Sequence, residues 1–103
     1  MDINYVLLNL PKIDIKNITP TNHFNIKYQQ RKGKIGLDIN SVYAKIIDEI
    51  PVSIVQQDNK KFKLQYKLTT ESDLSIIISV KKQNPFTIIL VTIYIETINR
   101  RMK

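Results

Sequence analysis

His23, Lys27 and Arg31 follow one another at intervals of four residues. On a helix of 3.6 residues per turn such positions form one row. Histidine is the side chain whose ordinary pKa lies near neutrality, so it suits general acid–base chemistry. Lys27 and Arg31 beside it would bind a phosphate and offset charge developing on it. His23 is the chain's one histidine. A lone histidine is also an ordinary surface residue, and two cations in a row an ordinary solvated helix face.

A second set carries hydroxyls. Thr92 and Tyr94 have the same parity, so an extended strand presents them on one face. A hydroxyl beside a scissile phosphate orients it or donates to it. Tyr66 is considered with them, although a tyrosine on a sheet is more often a core residue. A third set is cationic: Lys61, Lys63 and Lys67 alternate along one segment, with Lys60 just before it. With Thr92 they are the candidate nucleic-acid contacts, since lysines along a strand track a phosphate backbone. The same pattern keeps the outer face of a sheet soluble.

Composition narrows the chemistry. The 103 residues carry 16 basic and 9 acidic groups, for a net charge of +7. Such a field attracts polyanions, with nucleic acid first, an anionic membrane second and an acidic protein third. There is no cysteine, which removes disulfides and zinc-thiolate sites. Two glycines leave no phosphate-cradling loop. The carboxylates are scattered, so two-metal nuclease chemistry is not expected, and no cofactor is implied. Phosphodiester cleavage would then take its nucleophile from the substrate, and RNA supplies one in its 2′-hydroxyl. The start Met1-Asp2-Ile3-Asn4 lacks a signal-peptide pattern, and the apolar run 86–98 is too short for a bilayer span. A cytoplasmic protein is the expectation.

The elements that must position these residues follow from periodicity. Residues 2–10 read as a short strand, and 12–18 alternate as an extended arm or edge strand. The chain is thus divided into an N-terminal arm, 1–18, and a single α+β domain, 19–103. Thr19 is the expected cap of a helix over 20–32, with Pro20 at its first position and Gly33 closing it. A second helix, capped by Asp38 or Asn40, runs to Pro51 with Val42, Tyr43, Ile46, Ile47 and Ile50 inward. Strands are predicted over 52–57, 61–69, 74–82 and 86–95, the last apolar on both faces and therefore central. The expected fold is α+β, with two N-terminal helices packed on one face of a three- to four-stranded antiparallel sheet. The basic end, Arg100-Arg101-Met102-Lys103, is expected to fray or form a short extra element.

His23-Phe24-Asn25-Ile26-Lys27-Tyr28-Gln29-Gln30-Arg31 resembles the His-x-x-x-Arg-x-x-x-Arg-Gly-Ile helix of small RelE/BrnT-like toxin domains. Residues 37–46 resemble their second helix, and Val91-Thr92-Ile93-Tyr94 their closing strand. The resemblance spans residues 19–95. Lys27 stands where arginine is usual, and Lys32–Gly36 lengthens the link between the helices. The resemblance implies a metal-independent ribonuclease with His23 as general acid or base, Lys27 and Arg31 on the scissile phosphate, and Thr92 and Tyr94 lining the site. It also implies an antitoxin or other inhibitor protein on the basic face. Two other readings stay open: a non-enzymatic nucleic-acid-binding accessory protein of viral or archaeal type, and a homodimeric interaction module built on the N-terminal arm.

Overall fold

A computed structural model describes residues 2–97. The basic C-terminal stretch lies outside the described residues. Among the described residues, three α-helices and two short 3-10 turns accompany a five-stranded sheet. Helix α1 is Ile3–Asn9, followed by the turns Leu10–Lys12 and Ile15–Asn17 and by strand β1, Ile18–Pro20. Helices α2, Asn22–Ile35, and α3, Ile39–Asp48, come next. Strands β2 (Ser53–Gln56), β3 (Lys61–Lys67), β4 (Ser72–Gln83) and β5 (Phe86–Thr97) follow.

The sheet order is β1-β5-β4-β3-β2. The run from β2 to β5 is antiparallel, but β1 pairs with β5 in parallel through Ile18–Ile88, Thr19–Ile89 and Pro20–Leu90. The sheet is therefore mixed and has five strands, not the three or four antiparallel ones expected. β5 lies between two neighbours, as its two apolar faces suggest.

The N-terminal segment departs most from expectation. Residues 3–9 are helical, not extended. Ile3, Val6, Leu7 and Leu10 follow the i, i+3, i+4, i+7 helical pattern, Asp2 accepts from the Tyr5 amide as N-cap, and Pro11 follows the helix. Val6 and Leu10 are buried, and the Tyr5 hydroxyl donates to the Gln83 carbonyl while its ring meets Phe86 edge-on. The segment before β1 is packed as well: Ile13 and Ile18 also belong to the core cluster.

Helix α2 is shifted from its expected bounds. Thr21, not Thr19, caps it, accepting from the Phe24 amide at 3.0 Å. Pro20 sits in β1 instead. Gly36, not Gly33, closes the helix at φ 71°, the left-handed region that glycine enters cheaply. Asp38 caps α3 by accepting from the Ser41 amide at 2.7 Å, which holds its carboxyl below the usual range.

One apolar cluster unites Val6 and Leu10 with Phe24, Tyr28 and Ile35 of α2 and Val42 and Ile46 of α3. The same cluster takes Phe62, Leu64 and Tyr66 from β3, Leu74, Ile76, Ile78 and Val80 from β4, and Ile88, Leu90 and Ile93 from β5. Tyr66 is thus a core residue on the face opposite Lys61, Lys63 and Lys67. Its buried hydroxyl has no hydrogen-bond partner among the described residues, and burial pushes its pKa up.

Candidate functional site: the groove between α2 and β5

The site begins where β1 stops. β1 pairs with β5 only as far as Leu90, whereas β5 continues to Thr97. Helix α2 passes along this uncovered length. Its first turn is fastened to β5: the Thr21 amide and hydroxyl both donate to the Leu90 carbonyl, each at 3.0 Å. Ten residues on, Arg31 donates from Nη1 to the Ile93 carbonyl at 2.5 Å. A side chain here satisfies a carbonyl that a neighbouring strand would otherwise take.

Along this length opens a groove of about 720 Å³, lined by His23, Lys27, Arg31, Lys34, Thr92, Tyr94, Ile95 and Thr97. The helical row and the two hydroxyl-bearing strand residues named from the sequence therefore face one cleft. Among the described residues no carboxylate lines it, so its potential is positive. His23 is exposed, while Lys27 and Arg31 are partly covered. Lys34, Ile95 and Thr97 escaped the sequence reading. Lys34 continues the row three residues past Arg31, and ending the helix at residue 32 hid it.

A bulge aims the strand wall. Ile78 pairs with Leu90 but Ile77 pairs with Thr92, leaving Val91 as the extra residue. Phe86, Ile88 and Leu90 point to the core, and unbroken alternation would send Thr92 and Tyr94 there too. The extra residue reverses the phase: Ile93 enters the core, and Thr92 and Tyr94 turn to the groove.

Behind Tyr94 lies a polar network. The Glu96 carboxylate accepts from the Ser75 hydroxyl at 2.6 Å, from the Gln65 amide at 3.4 Å and from Lys63 in an ion pair. The Lys63 ammonium stands 5.8 Å from the Tyr94 ring centroid. Hydrogen bonds from Lys63 and then Ser75 hold Glu96 below the usual carboxylate range, and the bond to Glu96 raises Lys63. Lys63, a candidate nucleic-acid contact, is thus engaged with Glu96 and Tyr94 within the protein. Lys60 and Lys67 are exposed and Lys61 is partly covered. None of these four lysines lines the groove. Among the described residues no group of three or more His, Asp or Glu gathers as metal ligands. No described helix is long and apolar enough to cross a membrane, which leaves strand-built membrane proteins unaddressed.

The profile of the MJ0788 family matches residues 4–78, more than half of the 103-residue chain. The chain belongs to the MJ0788 family. In this MJ0788-family chain the matched segment holds the whole cationic row of α2 and ends within β4. Thr92 and Tyr94 lie beyond it. Neither curated proteins nor solved structures give a match.

Proposed function

We propose that the groove between α2 and β5 binds single-stranded RNA and cleaves it without metal, as the resemblance to RelE/BrnT-like toxins implies. The observation that carries this reading is the convergence of His23, Lys27, Arg31, Thr92 and Tyr94 on one cleft that no described carboxylate lines. Each group then has a task. His23, exposed on the rim, takes the proton from the 2′-hydroxyl as its oxygen attacks phosphorus. The bond from phosphorus to the 5′-oxygen breaks, leaving a 2′,3′-cyclic phosphate and a 5′-hydroxyl. The Tyr94 phenol donates the proton that the departing oxygen needs. Lys27 and Lys34 offset the charge on the phosphoryl oxygens, joined by the Arg31 N–H groups not held by Ile93. An antitoxin-like protein covering this cleft would block every step at once, and cytoplasmic RNA is the substrate such a protein would meet.

The test is cleavage of a single-stranded RNA in EDTA by wild type, His23→Ala and Tyr94→Phe. The expected result is cyclic-phosphate product from wild type and loss of at least about a hundredfold in rate without His23, the scale of general acid–base catalysis. No product from wild type, or equal rates in all three, overturns the reading.

The exposure of His23 favours a second reading, in which the cleft binds nucleic acid and performs no chemistry. Affinity would then fall steeply with salt. Lys27→Ala would flatten the slope of log K against log salt by about 0.7, the single-strand value for one phosphate contact. A salt-independent affinity would count against binding altogether.

A further inference from the structure

At the other end of the sheet, we propose that β2 joins two copies of the chain into one continuous ten-stranded sheet. This inference stands apart from the chemistry of the groove. β2 is the edge strand opposite β1. Its inner side is spoken for: Ser53, Val55 and Gln57 face Gln65, Lys63 and Lys61 of β3, and the Gln57 amide donates to the Lys61 carbonyl. Alternation then turns the N–H and C=O of Ile54 outward, where another extended strand would take them.

Edges are ordinarily guarded by lysine or a charged neighbour. Here residues 50–57, Ile-Pro-Val-Ser-Ile-Val-Gln-Gln, carry no charge in a chain of net +7. Ile50, Val52 and Val55 stay 82%, 53% and 47% exposed along this stretch. Ile50 and Pro51 continue onto an apolar groove of about 240 Å³ lined also by Leu7, Leu10, Pro11 and Glu49. An uncharged edge on a strongly cationic chain is where a second copy can approach without repulsion.

The flanking charges point to the same occupant. Asp48 and Glu49 precede the neutral stretch, and Asp58, Lys60 and Lys61 follow it. Antiparallel pairing about a two-fold axis brings Asp48 and Glu49 of one copy toward Lys60 and Lys61 of the other, twice per dimer. A register centred on Val55 places the two Val55 side chains opposite each other on the outer face. The α2–β5 cleft of each copy then lies at a far end of the joined sheet, fully open.

Sedimentation equilibrium across a dilution series tests this. The expected mass is twice 12.1 kDa for wild type, falling to 12.1 kDa for Val55→Lys, which sets two ammonium groups face to face. Amide exchange at Ile54 provides a measurement that needs no variant and should slow as wild-type concentration rises. A wild-type mass of 12.1 kDa at every concentration, an Ile54 amide indifferent to concentration, or a Val55→Lys protein that keeps the doubled mass overturns the proposal.

Discussion

The guanidinium of Arg31 donates to the main-chain carbonyl of Ile93 at 2.5 Å. One side chain therefore fastens helix to sheet and lines the cleft at the same time. Charge-assisted bonds are worth about 1.5–3 kcal/mol, and the partial exposure of Arg31 puts this one near the lower end. Arg31→Ala should lower unfolding free energy by about 1.5 kcal/mol in denaturant titration. Lys27→Ala, with no such bond to the strand, should stay within about 0.5 kcal/mol. Loss of RNA binding in Lys27→Ala would then be read without a stability correction.

The observed cap Thr21 and the expected cap Thr19 have different surroundings. Thr21 both accepts from Phe24 and donates to Leu90, whereas Thr19 is exposed in β1. Thr21→Ala should cost about 1–2 kcal/mol in thermal unfolding, and Thr21→Ser far less. Thr19→Ala should stay within about 0.5 kcal/mol.

The two glycines should respond in opposite directions. Gly33 lies inside α2, and a Cβ added there meets nothing within 4 Å. Gly33→Ala should therefore stabilise by up to about 1 kcal/mol through helix propensity. Gly36 sits at φ 71°, and Gly36→Ala should destabilise by about 1 kcal/mol even though its surroundings are open. Melting temperatures of the pair check both signs.

The Glu96 network predicts a pH dependence. Lys63 and Ser75 lower the folded-state pKa of Glu96 beneath its ordinary value of 4.5. A depressed carboxylate contributes stability that is present above the unfolded value and lost as pH falls through the folded one. Glu96→Gln should thus lower the melting temperature at pH 7, and the gap to wild type should close on acidification below 4.5. A gap that is the same at pH 7 and pH 3 would contradict the ion pair's contribution.

The parts of this architecture written in local periodicity were legible. The alternation of Phe62, Leu64 and Tyr66 against Lys61, Lys63 and Lys67 marks β3 from residue types alone, and the observed burial follows it. The Asp38 cap of α3 was one of two candidates by residue type. Where two residues fit one task, chain chemistry did not choose: Thr19 and Thr21 are equal as cap formers, as are Gly33 and Gly36 as terminators. Long-range pairing chose, because the Leu90 carbonyl holds Thr21. The helical period in α1 was present but short, and a run of Val, Leu and Leu reads equally well as a strand. The parallel pairing of β1 left no local mark. Neither did the bulge at Val91, so the shared parity of Thr92 and Tyr94 could be seen while the face they take could not. The cationic row needed only a helix, which is why His23, Lys27 and Arg31 were found together before any fold was drawn.

The brevity of β1 has a final consequence. Three residues of ladder cover the start of β5 and are too few to zip its outer edge shut. Extending that ladder past Pro20 would give the remaining carbonyls of β5 a strand for company and push the helix off the sheet's rim. The aperture is the length by which the first strand falls short of the last. Moving Pro20 along the chain would therefore resize the cleft without touching any residue that lines it.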